Sequence, residues 1–494
     1  MLQLLLLTLA TSMLYGSFLA NPLVFDDLTF FQVTFPELQP ENFRLELRYL
    51  PSITFKWVHA LPGENLQWWR LGNLALHITN SVLLFLLLRK LFAAALAGEN
   101  STFSSALSLP WLAFFGALIF ALHPVSVYGV AYLVQRTSLM ATLFTLLTWL
   151  LFSAGVLHNK QKWLLISAIT YLLAVLSKEH AIMAPAVCVA LLWLLCKPDR
   201  ALLARVGPTF LLYGMVALFA VYQIKGLNIL GHAYEPNATA LLSQQGIDPS
   251  ATYPLSILTQ SFLYFKYLWL WLLPIPAWMS VDMPADFAAQ FWIWPQTAGL
   301  IGFVLYPIIA THLLLNRGRN GLLGFALLGP WLLFATEFST VRVQEIFVLY
   351  RSYLWMPCLF AALPFLLQKM PAKFSATLLV AITISFIPAT WNRLAAFSGQ
   401  VQLWGDALRY AQKNGDAVSA RIYRNLGAAY RENGQHIFAL ENFNMVIQLY
   451  PNANHAYLDR AQLYEEMGNP MAAMRDYAQG CQRGVAKACA KFAQ

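Results

Sequence analysis

The stretch RLGNLALHITNSVLLFLLLRK, residues 70–90, decides the class of fold. Its apolar residues run with few interruptions from Leu71 to Leu88 and stop at Arg89 and Lys90. A helix needs about 20 mostly apolar residues to cross the hydrocarbon core of a bilayer. Basic residues directly after such a run are typical of a cytoplasmic loop. The stretch therefore predicts a transmembrane helix that ends in the cytoplasm.

Apolar runs of this kind recur on both sides of the stretch. The chain has 494 residues, of which 59% are hydrophobic and 11% are charged. Soluble domains carry roughly 25% charged residues, so the composition indicates an all-α, polytopic membrane helix bundle. About 11 transmembrane helices are predicted, at 2–20, 71–88, 110–122, 134–156, 163–176, 181–195, 208–224, 297–315, 321–335, 353–367 and 374–390.

The charge pattern sets the predicted orientation. The net charge of +9 lies largely in short loops, which is typical of membrane orientation and not of a nucleic-acid-binding patch. With the N-terminus in the cytoplasm, all five predicted cytoplasmic loops carry Lys or Arg. The first extracytoplasmic loop is then 21–70. The first segment could alternatively be a cleaved signal peptide, although it lacks the basic residues that usually begin one.

Residues 256–280, SILTQSFLYFKYLWLWLLPIPAWMS, do not fit simple alternation of spans. Lys266 interrupts the run, and Pro274 and Pro276 lie near its end. We predict an interfacial or re-entrant helix on the outer side. The transmembrane domain is expected to end at residue 393.

The composition becomes polar and Ala-rich in residues 400–494. Leu426, Gly427, Tyr430, Ala439, Phe443 and Pro451 occupy tetratricopeptide positions, and 34 residues later the pattern returns at Tyr457, Ala461, Tyr464, Ala473 and Tyr477. This period predicts a short helical repeat array on the extracytoplasmic side. Cys481 and Cys489 can form a disulfide only if the helix breaks between them, for example at Gly484.

Ionisable residues gather at the helix ends that are predicted to lie outside. They are Asp26, Asp27, His123, Arg136, Lys178, Glu179, Glu337, Arg342, Glu345 and Arg351. Charges at membrane depth are costly and therefore suggest function. Asp26 and Asp27 are either a solvated loop or a general base with its neighbour. Lysine, arginine and histidine at the rim suit a lipid phosphate.

Each of these residues also has a structural interpretation. Arg136 could have no role beyond extending its charged group toward the membrane interface. Lys178 and Glu179 could form an internal ion pair. His77 lies in an apolar helix and is expected to be a packed histidine. The sequence contains no phosphate-binding loop, dinucleotide fingerprint, Ser-His-Asp set or zinc pattern.

Several motifs, taken in order, resemble a known family. They are FDD (25–27), RLGNLALHITN (70–80), ALHPVSVYGVAYLVQR (121–136), LLAVLSKEHAIMAP (172–185), YFKYLWLWLLPIPAWMSVD (264–282) and YRSYLWMP (350–357). The chain resembles the transmembrane and tetratricopeptide-repeat O-mannosyltransferases and their bacterial relatives, in the GT-C superfamily. The resemblance covers essentially the whole chain and supports placing 256–280 outside.

The resemblance implies an inverting glycosyltransferase with a polyprenyl-phosphate sugar donor and an extracytoplasmic site. It implies that Asp26 and Asp27 are the catalytic acidic pair, and it places Arg136, Lys178 and Arg351 on the donor phosphate. Of the pair, we expect Asp26 to be the base and Asp27 its support. We add His123 to that phosphate group, with Glu179 and Glu345 as supporting residues. No metal and no cofactor are predicted.

The expected partners are a polyprenyl-phosphate-linked sugar, membrane lipid and an acceptor protein docked by the repeats. The short chain suggests a bacterial inner-membrane protein, so mannose is not assumed. Two alternatives stay open: a lipid or glycan acceptor with repeats that recruit partner enzymes, or a non-enzymatic membrane-anchored scaffold.

Overall fold

The computed structural model contains helices as its regular elements. It describes all residues except 39–43, 60–64, 98–106, 227–228, 234, 236–237, 239–241, 244–245, 416–417 and 494. Among the described residues there is no strand, and one isolated bridge joins Ala233 to Val341. The predicted all-α class is confirmed.

Eighteen longer helices are labelled here in chain order. In the first part of the chain they are α1 Leu2–Gly16, α2 Tyr49–His59, α3 Leu66–Ala95, α4 Leu109–Ala121, α5 Arg136–Leu157, α6 Gln161–Ser177, α7 Ala184–Leu195, α8 Arg200–Gly226, α9 Thr252–Leu272, α10 Gln296–Leu315, α11 Gly318–Phe334 and α12 Ala372–Ala396. The later ones are α13 Gln400–Asn414, α14 Ala420–Glu432, α15 His436–Leu449, α16 Asn454–Glu466, α17 Pro470–Gln482 and α18 Ala486–Phe492.

The predicted count of 11 spans is not confirmed. Among the described residues, six helices are long and apolar enough to cross a membrane, or seven if the bent pair Leu109–Ala121 and Pro124–Val130 is one span. Four other predicted spans coincide with apolar helices of 10–17 residues. A helix of 17 residues is about 25 Å long, which is less than the roughly 30 Å of a typical hydrocarbon core. The chain is nevertheless a membrane-embedded protein by the length and composition of its helices.

The helix predicted within 256–280 is α9, which ends at Leu272, before Pro274. Helix α9 is not one of the six helices that are long and apolar enough to cross a membrane. Its interfacial placement stays a prediction. The chain divides into two compact units, the first made of 1–276 and 286–394 and the second of 277–285 and 395–494.

One face of α3 holds the connection between α4 and α5. Arg70, Asn73, His77 and Asn80 are all buried and recur at helical spacing. Their side chains contact backbone carbonyls of that connection, or of the turns beside it, at Ala131, Val130, Leu133, Ala121 and Leu139. Interrupted helices at membrane depth persist only where protein groups satisfy the backbone. This explains how the motif RLGNLALHITN supports the break, and His77 is a packed histidine.

The second unit contains two helical hairpins that repeat at 34 residues. Helix α14 begins at Ala420 and α16 at Asn454. A Cβ at Gly427 would lie 2.7 Å from the Phe443 ring, so this glycine permits close packing of α14 on α15. The period agrees with the predicted one, and the tetratricopeptide assignment stays a prediction.

Cys481 and Cys489 form a disulfide. Gly484, with φ of 83°, separates α17 from α18. The left-handed conformation suits a residue without a Cβ. The condition set from the sequence, a break at Gly484, is therefore met.

Candidate functional site

A cavity of about 340 Å³ lies in the first unit, where several helix ends meet. These ends follow α1 and α6 and precede α5, and the segment after α11 completes the wall. The charged and polar lining includes Asp26, Arg48, Gln135, Lys178, His180, Arg342, Glu345, Tyr350 and Arg351. Phe30, Pro51, Phe55 and Val134 give the cavity an apolar part. The structure thus brings predicted residues from distant motifs to one space.

Asp26 and Asp27 differ in their surroundings. Asp26 is exposed and lines the cavity, whereas Asp27 is fully buried. The Asp27 carboxylate accepts hydrogen bonds from the backbone amides of Val134 at 2.9 Å and Leu133 at 3.4 Å. Burial raises the pKa of Asp27 to about 7, against the opposing effect of these amides and of Arg70. Asp27 is thus an anchor of the loop, and Asp26 is the carboxylate that a ligand in the cavity can reach.

Arg70 joins the two segments that carry this arrangement. Its guanidinium donates to the carbonyl of Asn21 at 2.8 Å and also to that of Pro22. A third hydrogen bond, of 2.8 Å, goes to the carbonyl of Ala131. The rigid five-donor geometry of arginine suits such divergent acceptors. Arg70 therefore holds the segment before Asp26 against the segment before Leu133.

Lys178 is the cavity cation whose hydrogen bonds go to neutral groups. The side chain is 6% exposed, and its ammonium donates to Ser138 Oγ at 2.8 Å and to Gln135 Oε1 at 3.3 Å. Burial, and then the charge of Arg48, lower the pKa of Lys178 to about 7. A buried ammonium that faces a cavity and is held by neutral oxygens can be stabilised by an anionic ligand.

The other basic residues of the cavity contact carboxylates. Arg48 donates to both carboxylate oxygens of Glu179, one at 2.8 Å. Glu179 thus pairs with Arg48, whereas Lys178 was the partner considered from the sequence. The His180 ring nitrogens lie 3.2 Å from oxygens of Glu179 and Glu337. Glu179 and Glu337 themselves do not line the cavity.

Arg342 and Arg351 complete this group. Arg342 lies 3.6 Å from Glu337, and Arg351 lies 3.4 Å from Glu337 and 3.9 Å from Glu345. The surrounding carboxylates raise the pKa of Arg351 against the effect of burial. Arg48, Arg342 and Arg351 therefore each contact a glutamate, whereas the ammonium of Lys178 donates to neutral oxygens.

His123 and Arg136, both predicted to bind donor phosphate, lie outside this lining. His123 is fully buried, stacks on Trp271 at 4.3 Å and lies 3.0 Å from the Trp271 carbonyl. Arg136 is 2% exposed and donates to Asn73, Thr54 and the Trp69 carbonyl at 2.7–3.0 Å. The polar hydrogens of His123 and Arg136 bind protein groups, because the connection after α4 is buried and its surroundings must be satisfied by hydrogen bonds. The structure does not bring them to the ligand space.

Helix α9 supports the segment that carries Glu345 and Arg351. Gln260 donates to the Ile346 carbonyl at 3.1 Å, and Tyr267 donates to the Val348 carbonyl at 2.9 Å. The Trp271 indole donates to Ser352 Oγ at 2.9 Å. On the other side of the segment, the Glu235 carboxylate accepts from the amides of residues 343–345.

Several lining residues were not selected from the sequence. They include Arg48, Gln135, His180 and Tyr350. Tyr132, which lies behind Asp26 and outside the lining, was also not predicted. His180 and Tyr350 are neighbours of predicted residues in SKEH and YRSY, which is a signal that could have found them. Arg48 stands in a loop without a motif, and only the fold brings it to Glu179.

No group of three or more His, Cys, Asp or Glu residues that could hold a metal was found within the part of the chain that the structure describes. The absence of a metal from the reaction stays a prediction. The acidic and basic groups described above can bind an anion and accept a proton without one.

Comparison with known proteins adds one finding. The chain is 23% identical over 348 residues to a protein O-mannosyl-transferase, F38B6.6, of Caenorhabditis elegans. The match covers 69% of this chain and 46% of that protein, so the chain spans about half the length of the curated relative it matches. No protein-family model matches the chain. The similarity is distant and joins this chain to a membrane glycosyltransferase.

Proposed function

We propose that the protein is a GT-C-type glycosyltransferase that moves a sugar from a polyprenyl-phosphate donor to a hydroxyl group of an extracytoplasmic acceptor. The distant similarity supports glycosyltransferase activity in general. The cavity supports the finer proposal, because one exposed carboxylate, Asp26, shares it with Lys178 and three arginines. That juxtaposition of a base and an anion site carries the proposal.

The reaction assigns a role to each side of the cavity. Asp26 takes the proton from the acceptor hydroxyl as its oxygen attacks the anomeric carbon of the sugar. The bond from that carbon to the phosphate oxygen breaks, and the oxygen keeps the electron pair. Attack opposite to the leaving phosphate inverts the anomeric centre. Asp27 anchors the loop, and Lys178 with Arg351 stabilises the leaving phosphate.

The charge of the cavity agrees with a monophosphate-linked donor. A phosphodiester carries one negative charge, and the released phosphate monoester carries up to two. The ammonium of Lys178, which donates to neutral oxygens, can therefore pair with the single charge of the donor, and fixed cations stabilise the charge that develops as the phosphate leaves. Glu345 and Glu179 support the arrangement by holding Arg351 and Arg48 in place.

We propose a protein acceptor docked by the repeat unit, and a bacterial inner membrane with site and repeats on the periplasmic side. The supporting observations are the basic predicted cytoplasmic loops and the helical hairpins that repeat at 34 residues. A lipid or glycan acceptor is the second candidate. Removal of residues 400–494 distinguishes them, since transfer to a small acceptor survives it and transfer to a folded protein falls.

The experiment that tests the proposal compares Asp26→Asn with the wild type. The isosteric amide cannot take the proton, so transfer should fall by about 10²–10⁴-fold, the usual contribution of a general base. Intact mass of acceptors from cells with and without the protein identifies the sugar. Asp286→Asn, at an exposed carboxylate of the same unit, is the control. Wild-type turnover by Asp26→Asn would refute the assignment.

A further inference from the structure

Tyr132 is placed directly behind Asp26 by the connection between α4 and α5. Its side chain is 1% exposed. The hydroxyl lies 2.5 Å from Asp26 Oδ2, and the backbone amide of Asp26 lies 3.3 Å from the same hydroxyl oxygen. Because the amide can only donate, the hydroxyl accepts from it. The hydroxyl proton is then directed to the carboxylate.

The neighbouring contacts fix this pair from several sides. The residues after Tyr132 hold Asp27 through their amides. The Phe25 ring stacks on the Tyr132 ring at 5.8 Å, and the Tyr350 ring meets it edge-on at 6.0 Å. Phe25 has φ of 55°, a conformation that costs energy for a residue with a side chain. Such strain persists only where the surroundings determine the position strongly.

We propose that Tyr132 is the positioning residue for the base, orienting the Asp26 carboxylate in the cavity and keeping it ionised. This inference rests on the proposed function, in which Asp26 takes the proton. Tyr132 does not line the cavity and so acts through Asp26. A tyrosine that only filled space would need its ring and not its hydroxyl.

The chemistry of the hydroxyl suits this role. Burial and the charges of Asp26 and Asp27 raise the pKa of Tyr132, so the hydroxyl remains a donor through the neutral range. A hydrogen bond to a carboxylate favours its ionised form. Loss of the hydroxyl should therefore leave less of the Asp26 carboxylate ionised at a given acid pH and restrict activity to higher pH.

Other titratable groups also bear on Asp26. Asp27 and Tyr350 face it or Tyr132 directly. The remaining titratable groups that line the cavity are Arg48, Lys178, His180, Arg342, Glu345 and Arg351. All of these are unchanged by a substitution at Tyr132, so a shift of the pH profile can be assigned to the lost hydroxyl.

The test measures the pH dependence of transfer for Tyr132→Phe, with Tyr128→Phe as the matched control. Tyr128 is also buried in this connection, but its hydroxyl lies 3.3 Å from Arg393 and not at Asp26. For Tyr132→Phe we expect kcat to fall about tenfold to a hundredfold, and the acid limb to move up by about one pH unit. The donor KM should stay within about twofold, because the phosphate contacts are intact.

A wild-type kcat and acid limb in Tyr132→Phe would overturn the inference. Replacement of Tyr132 by a fluorinated tyrosine provides a second measurement that keeps the ring and the hydroxyl. The more acidic hydroxyl is a stronger donor, so the acid limb should move to lower pH, and an unchanged limb would count against the proposal even if Tyr132→Phe failed to fold. Failure of the proposed function is distinguishable, since Asp26→Asn would then remain active.

Discussion

Two groups of buried polar residues in the first unit look alike in sequence and differ in their partners. Arg70, Asn73, His123 and Arg136 direct their polar atoms to backbone carbonyls, backbone amides and neutral side chains of the interrupted helices. The second group lines the cavity of about 340 Å³ and includes the cations Lys178 and Arg351. The first group supports the backbone, and the second is open to a ligand.

The comparison shows that burial and charge alone do not identify a ligand-binding residue. Arg136 is 2% exposed and Arg351 is 4% exposed, so burial does not separate them. Interrupted helices at membrane depth leave carbonyls that must be satisfied, and this need accounts for many buried donors. Only the partners of each residue separate a support for the backbone from a group available to an anion.

Between these two groups, the largest effect is expected for Lys178→Met. Loss of the ammonium removes a fixed charge that would stabilise the leaving phosphate, so kcat/KM should fall about 10²–10³-fold, as for other preorganised donors. Folding should be little affected, because Ser138 donates to Gln135 at 2.9 Å and the two former partners still satisfy each other. Initial rates and thermal unfolding in detergent check both parts.

Lys162→Met is the matched control, since Lys162 is exposed at the start of α6. It should retain wild-type kinetics. Equal kcat/KM in Lys178→Met and in the control would remove Lys178 from the proposed anion site. Lys178 would then be a structural residue, like those that support the interrupted helices.

The opposite result is expected for Arg136→Met, in which stability falls and turnover per folded molecule does not. Arg136 donates to Asn73 Oδ1 at 2.8 Å, and its guanidinium lies 3.6 Å from the centre of the Phe55 ring. A buried acceptor that loses its donor costs roughly 1–3 kcal/mol. A lower unfolding temperature with kcat within about threefold of wild type would fit.

A large loss of kcat with unchanged stability in Arg136→Met would return Arg136 to the donor-phosphate site that the motif resemblance implies. The same measurement thus separates the family-based expectation from the placement in the structure.

The sequence predicted the helices better than the contacts that their side chains make. The apolar runs and the 34-residue period each correspond to helices, because burial and helical periodicity are local properties. The count of spans was not confirmed because several apolar helices, such as Gln161–Ser177, are short. The helix ends before His123 and Lys178 lie within about one residue of the predicted ends at 122 and 176, whereas the partners of these two side chains depend on tertiary contacts that a single sequence does not contain.

The candidate site was predictable in part for a related reason. Asp26 and Lys178 carry charges at helix ends, which composition makes conspicuous. The division of labour between Asp26 and Asp27 depends on which carboxylate meets the amides of residues 133 and 134, at a distance of more than 100 positions in the chain. Arg48 could not be predicted as a cavity residue, because only the fold places it beside Glu179.

The smallest predicted effect concerns pH and tests the cavity group without a mutation. The pKa of Lys178 is lowered to about 7 by burial and by Arg48, so its positive charge is present below this pH and is lost as the pH rises through it. An anionic donor binds the charged form, and the donor KM should therefore rise above about pH 7, by at most about tenfold per pH unit. Lys178→Arg keeps its charge throughout this range and should abolish the rise, whereas Lys162→Met should preserve it. A donor KM that stays constant between pH 6 and 8.5 in the wild type would mean that the ammonium does not change charge on donor binding. Because this effect appears in KM at alkaline pH and the Tyr132 effect appears in kcat at acid pH, one pH series examines the anion site and the base separately.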